Sequence, residues 1–117
     1  MDQADVIRLQ HMRDATAEAL QFAAGKFRVD LDHDRMLILA ILKDLEIIGE
    51  AASRVSRAVK QDNPSVPWDE ITGMRNRLIH GYFDINLDVV WETISQDLPQ
   101  LLIAIDTILG PPEQIRP

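Results

Sequence analysis

At 117 residues, with 46% hydrophobic and 26% charged side chains, the chain is too apolar for intrinsic disorder and long enough for one domain with a real core. It contains no cysteine, which excludes a disulfide framework and thiolate metal ligation. A net charge of −7 and a pI near 4.8 argue against indiscriminate coating of nucleic acid, while leaving room for a small basic cleft on an acidic body. No apolar run reaches the roughly 18 residues of a membrane span. The opening MDQADVIRLQ has no signal-peptide apolar core, so the expectation is a soluble, cytoplasmic protein with no membrane partner.

Apolar residues recur at three and four rather than at two, which predicts helices throughout. A first helix is expected over residues 3–23, with an imperfect stripe of Val6, Leu9, Arg13, Leu20 and Phe22 beside Ala15, Ala19 and Ala23. A second is expected from about Asp32 to Val59, along Leu37, Ile41, Leu45, Ile48, Ala52, Val55 and Val59, widened by Met36, Ala40, Ile47 and Ala51. So wide an arc implies more than one neighbour. Gly49, Ala51 and Ala52 are small enough to let another helix approach. Pro64 and Pro67 close that segment, and Pro67 suits the first turn of a short helix anchored by Trp68 and Ile71. A third helix follows through Met74, Leu78 and Ile79 to about His80, where Gly81 can stop it. The last begins at Asn86, a side chain able to cap free N–H groups, with Ile85 and Val90 spaced as a hydrophobic staple. Its apolar face runs to Leu109, and Pro99 predicts a kink or two abutting helices. No segment alternates as a strand would. The expected fold class is all-α, a bundle of four to five helices forming a single domain over residues 1–110, with residues 111–117 a flexible tail. The broad apolar faces would be covered most simply by a symmetric homodimer.

Chemistry concentrates in Arg75-Asn76-Arg77-Leu78-Ile79-His80-Gly81-Tyr82. Asn76 and His80, four apart, share a helix face, whereas Arg75 and His80, five apart, point to different sides of an ideal helix. Two copies across a two-fold axis could bring Arg75 of one chain near His80 of the other. Histidine moves protons near neutral pH, arginine matches phosphate oxygens with a fork of donors, and tyrosine stacks on bases. The set suits metal-free RNA cleavage, in which imidazole takes the 2′-OH proton, the oxygen attacks the adjacent phosphorus and guanidinium stabilises the developing charge. No carboxylate pair or multi-histidine set suggests a metal instead. The plain alternative is a polar helix end whose cations suit the helix dipole.

The same stretch resembles the R-x4-H-x-Y signature of HepT-like toxins in the HEPN superfamily. Leu45-Glu46-Ile47-Ile48-Gly49-Glu50-Ala51-Ala52 resembles that family's second-helix stretch. Val66-Pro67-Trp68 with Ile71, Gly73 and Met74 resembles its approach to the motif, and Val90-Trp91 and Leu98-Pro99 its final helix. The resemblance runs from about Asp32 to Leu109. It implies a HEPN-like, homodimeric endoribonuclease toxin with Arg75 and His80 catalytic and Asn76 supporting them. It also implies a partner, a nucleotidyltransferase antitoxin that uses ATP and Mg²⁺ to transfer AMP onto Tyr82. The added bulk and charge would close the cleft to RNA. No cofactor is expected for the cleavage itself. A non-catalytic HEPN-type module presenting substrate or nucleotide to a nucleotidyltransferase is the competing reading, and a purely structural dimer a third.

Glu50 sits in an apolar run and is expected either to pair with Arg75 or orient His80, or to lie solvated on a narrow polar side with Glu46. Arg77 reads equally as a phosphate ligand or as a dipole-favoured cation. Arg54, Arg57 and Lys60, at steps of three, read as a solvated helix end ahead of an RNA track. His11 and His33 read as surface residues, Trp68 and Trp91 as core anchors, and Met12, Met36 and Met74 as gap-fillers.

Overall fold

The computed structural model describes residues 1–78 and 84–111. The expectations placed on Ile79, His80, Gly81, Tyr82 and residues 112–117 lie outside these. The architecture is all-α, with no β-strand among the described residues. Among the described residues no helix is long and apolar enough to cross a membrane.

Helix α1, Gln3–Ala23, starts where Asp2 accepts the Ala4 N–H and ends where Gly25 takes a φ of 74°, a backbone state that glycine enters without cost. Its buried stripe is Val6, Leu9, Met12, Ala15, Thr16, Ala19 and Ala23. Phe22, expected in that stripe, is 38% exposed, because the alanines set a different face against the neighbouring helix. A single turn, α2 (Asp30–His33), precedes the central helix α3, Arg35–Arg54, whose cap is Asp34 accepting from Leu37 N–H at 3.0 Å. Ile41, Leu45, Ile48 and Ala52 are fully buried or nearly so, and α1 packs along this face. Met36 is 83% exposed in the first turn of α3, so it fills no gap.

The expected single helix to Val59 is two helices. Val55 is extended, and Ser56 starts α4, Arg57–Asp62, by accepting from Val59 N–H. The break is fixed from outside. Asp5 of α1, buried, accepts hydrogen bonds from the Ser56 N–H at 2.8 Å and the Ser56 hydroxyl at 2.6 Å. A carboxylate anchored by both donors of one residue outweighs the single turn of helix lost.

Pro67 opens the short helix α5, Trp68–Thr72; buried Trp68 donates its indole N–H to the Asn63 carbonyl at 3.0 Å. Helix α6, Met74–Leu78, follows after Gly73. Helix α7, Leu87–Glu92, is capped by Asn86, whose side chain accepts from Val89 N–H, while Ile85 packs on the core that holds Val90. Before Pro99 the chain widens into a π turn, Thr93–Asp97, and then tightens into α8, Leu98–Leu109, closed by Gly110 at a φ of 75°. The proline ring and its missing N–H are thus absorbed by one wide turn rather than by a sharp kink. Helix α8 lies against α1, tied at the surface by Arg13 and Asp106 at 2.6 Å.

Candidate functional site

The segment Pro67 to Leu78 is pinned from beneath. Trp68, Ile71, Met74 and Leu78 are all buried, and α5 rests directly on α3 at Gly49. A Cβ at Gly49 would stand 3.2 Å from the Ile71 carbonyl oxygen and 3.6 Å from that of Thr72, so only glycine admits this approach without displacement. Met74 and Leu78, one turn apart, hold α6 down and leave Arg75, Asn76 and Arg77 exposed.

The two arginines diverge. Arg75 reaches α3, with its Nε 3.4 Å from Oε1 of Glu46, and both side chains remain partly solvated. Arg77 turns the other way and donates to the Glu70 carbonyl at 3.2 Å. There it borders a separate cavity of about 290 Å³ between α5–α6 and the π turn. Asn76 makes no side-chain hydrogen bond among the described residues.

The expected link from Glu50 to Arg75 is not formed. Glu50 pairs with Arg54, one turn along its own helix, at 2.8 Å, and Arg75 takes Glu46 instead. Arg54 is within reach of Glu50 by i,i+4 spacing, and α6 crosses α3 at the level of Glu46. Whether Glu50 orients His80 falls outside the described residues.

Arg75 borders a surface groove of about 490 Å³ between α1 and α3. Its charged lining is Arg8, Lys43, Arg54 and Arg75, interleaved with Glu46 and Glu50, and His11 sits one turn on from Arg8. Four of the chain's twelve basic residues but only two of its nineteen acidic ones line it, so the groove is basic on an acidic molecule. Arg57 and Lys60 are not part of it, because the break at Val55 ends the helical step after Arg54. Arg8, His11, Lys43 and Glu46 are the residues that the sequence reading did not connect to the motif. Lys43, Glu46, Glu50 and Arg54 do recur at helical steps, but the contribution of α1 needs the α1–α3 pairing to be seen. Among the described residues no group of three His, Asp or Glu side chains is placed to hold a metal ion.

The helical scaffold thus presents an exposed arginine beside a groove whose charged lining is net positive. The family model described as "Ribonuclease HepT-like" matches residues 12–108, and the chain belongs to this HepT-like family. It is 36% identical over 101 residues to the protein named "Putative RNase TTE0752" of Caldanaerobacter subterraneus subsp. tengcongensis, covering 86% of this chain and 90% of that one. It is 40% identical over 68 residues to "Probable ribonuclease HepT" of Thermococcus cleftensis, covering 58% and 62%. To "Putative RNase MJ1380" of Methanocaldococcus jannaschii it is 33% identical over 88 residues, covering 71% and 81%. No solved structure matches the chain.

Proposed function

We propose that the chain is a metal-independent endoribonuclease toxin that acts as a homodimer. The observation that carries the reading is the exposed Arg75 over a basic groove in a chain of the HepT-like ribonuclease family. In the reaction, the His80 imidazole accepts the 2′-OH proton and the 2′-oxygen forms a bond to the adjacent phosphorus. The bond from phosphorus to the 5′-oxygen breaks, and that oxygen takes up a proton, leaving a 2′,3′-cyclic phosphate and a 5′-OH. Arg75 stabilises the charge on the phosphoryl oxygens, at a cost to the Glu46 pair that is small because both partners are half in water. Asn76 orients the imidazole or the substrate. The five-residue spacing of Arg75 and His80 is met by pairing Arg75 with His80 of the partner subunit across a two-fold axis. The exposed Met36 and Leu39 on α3 offer apolar surface that a second copy could cover.

Control falls to a nucleotidyltransferase antitoxin. The Tyr82 phenolic oxygen attacks the α-phosphorus of Mg²⁺-bound ATP, pyrophosphate leaves, and the attached AMP repels RNA phosphates. Inducing the chain alone is expected to arrest growth and His80→Ala to relieve the arrest. A harmless wild type would instead favour the non-catalytic module. AMP on Tyr82, seen by mass spectrometry after co-expression with the nucleotidyltransferase, supports the control step; an unmodified Tyr82 removes it.

A further inference from the structure

We propose that the α1–α3 groove is a binding track for the backbone of single-stranded RNA, in which Arg8 and Lys43 hold phosphates flanking the one engaged by Arg75. This rests on the ribonuclease reading and adds to it residues outside the R-x4-H segment. Arg8 and Lys43 make no ion pair among the described residues, although the molecule carries a large excess of carboxylates. Asp5 of α1 meets Ser56 and Glu18 faces Asp44, so Arg8 lies toward the Arg54 end of the groove and Lys43 at the other, and each offers an anion a charge that no carboxylate within ion-pair reach offsets.

The two carboxylates in the groove complete the device. Glu46 holds Arg75 at 3.4 Å and Glu50 holds Arg54 at 2.8 Å, in pairs that are each more than a third exposed. Such pairs are weak in water, whereas a phosphate binds guanidinium through two parallel hydrogen bonds. Arriving phosphates therefore displace the glutamates, which keep the arginines aimed at the groove until then. From Lys43 to Arg54 the groove follows eleven residues of α3, about 16 Å at 1.5 Å per residue. A strand stretched to about twice the stacked rise of roughly 3.4 Å per nucleotide lays about two to three phosphates along it. The groove, about 490 Å³ and open to solvent, lets a strand's backbone lie along it with the bases turned outward.

The test uses the full chain and two substrates, an RNA of about twelve nucleotides and a dinucleotide with only the scissile phosphate. Arg8→Glu with Lys43→Glu is expected to raise KM about tenfold or more for the long RNA and to change dinucleotide cleavage far less. Arg8→Lys with Lys43→Arg is expected to restore binding, and circular dichroism to match the wild type, since Lys43 is exposed and Arg8 is only half-buried. Salt titration of RNA binding by anisotropy, in the His80→Ala background, should show the slope fall by about 1.4, as two lost phosphate contacts on a single strand require. Unchanged KM and salt slope in the charge-reversed chain overturn the track. So does loss of association with the nucleotidyltransferase while RNA binding stays intact, which would make the groove a protein interface. A wild type that cleaves neither RNA, yet binds the long one in a way that depends on Arg8 and Lys43, sinks the ribonuclease reading and leaves the track standing.

Discussion

Asp44 is the residue least at ease in this structure. It lies on α3 with 2% of its surface exposed, and its Oδ2 has no hydrogen-bond partner among the described residues. Burial, then the hydrogen bond that its protonated carboxyl donates to Glu18 and that residue's negative charge, push it from the ordinary 3.8 up to about 7. Between those values the native chain keeps a proton that the unfolded chain has released. Raising the pH through this window therefore favours unfolding, and above about 7 the loss is complete. Asp44→Asn keeps the shape, carries no charge and can donate to Glu18. In urea unfolding at pH 5 and pH 8, the variant's advantage over the wild type should grow with pH and reach about 1–3 kcal/mol at pH 8. A difference that does not change with pH would show that Asp44 ionises normally. Nothing in the sequence marks Asp44 in this way. It sits among apolar residues beside Lys43, and only the pairing of α1 with α3 brings Glu18 against it.

At the scale of elements, the segment carrying Arg75 inherits its position from α3. Glycine at 49 allows α5 to sit on α3, and α6 follows directly with Arg75. Gly49→Val should push α5 outward, costing about 1–3 kcal/mol in thermal or urea unfolding as overpacking does. RNA cleavage by the folded fraction should fall more steeply, because a displacement of about 1 Å can cost a reaction on the order of 10²-fold. Full activity per folded molecule would mean that Arg75 does not depend on this contact. The elements with local signals were legible: the limits of α1, the Asn86 cap, the short helix after Pro67 and the disturbance at Pro99. The break at Val55 was not. No proline or glycine marks it, and the groups that stabilise it, on Asp5 and Ser56, are fifty-one residues apart in sequence. The fate of the polar cluster was legible only in part. The sequence singled out Arg75 and Asn76 by residue type, and both are exposed, but the divergence of Arg77 depends on a carbonyl of α5 that no spacing rule includes.

For the whole molecule, charge is the organising fact. A body of net charge −7 repels a polyanion at long range, while the groove beside Arg75 is locally basic, so the proposed RNA binding would be short-ranged and confined to the groove. That division is what the proposed function requires of an acidic chain, namely local engagement of a polyanion without coating it. Composition allowed for such a cleft, but its location required α1 and α3 to be packed together. The central claim is that Arg75 and His80 break RNA by 2′-oxygen attack without a metal. Its most direct test is incubation of the purified chain with a defined single-stranded RNA in excess EDTA, followed by mass spectrometry of the product ends. The account predicts 2′,3′-cyclic phosphate and 5′-OH ends, with the rate reduced about 10²–10³-fold by Arg75→Ala and about 10²–10⁴-fold by His80→Ala. Intact RNA, or cleavage that EDTA abolishes and both variants retain, would contradict it.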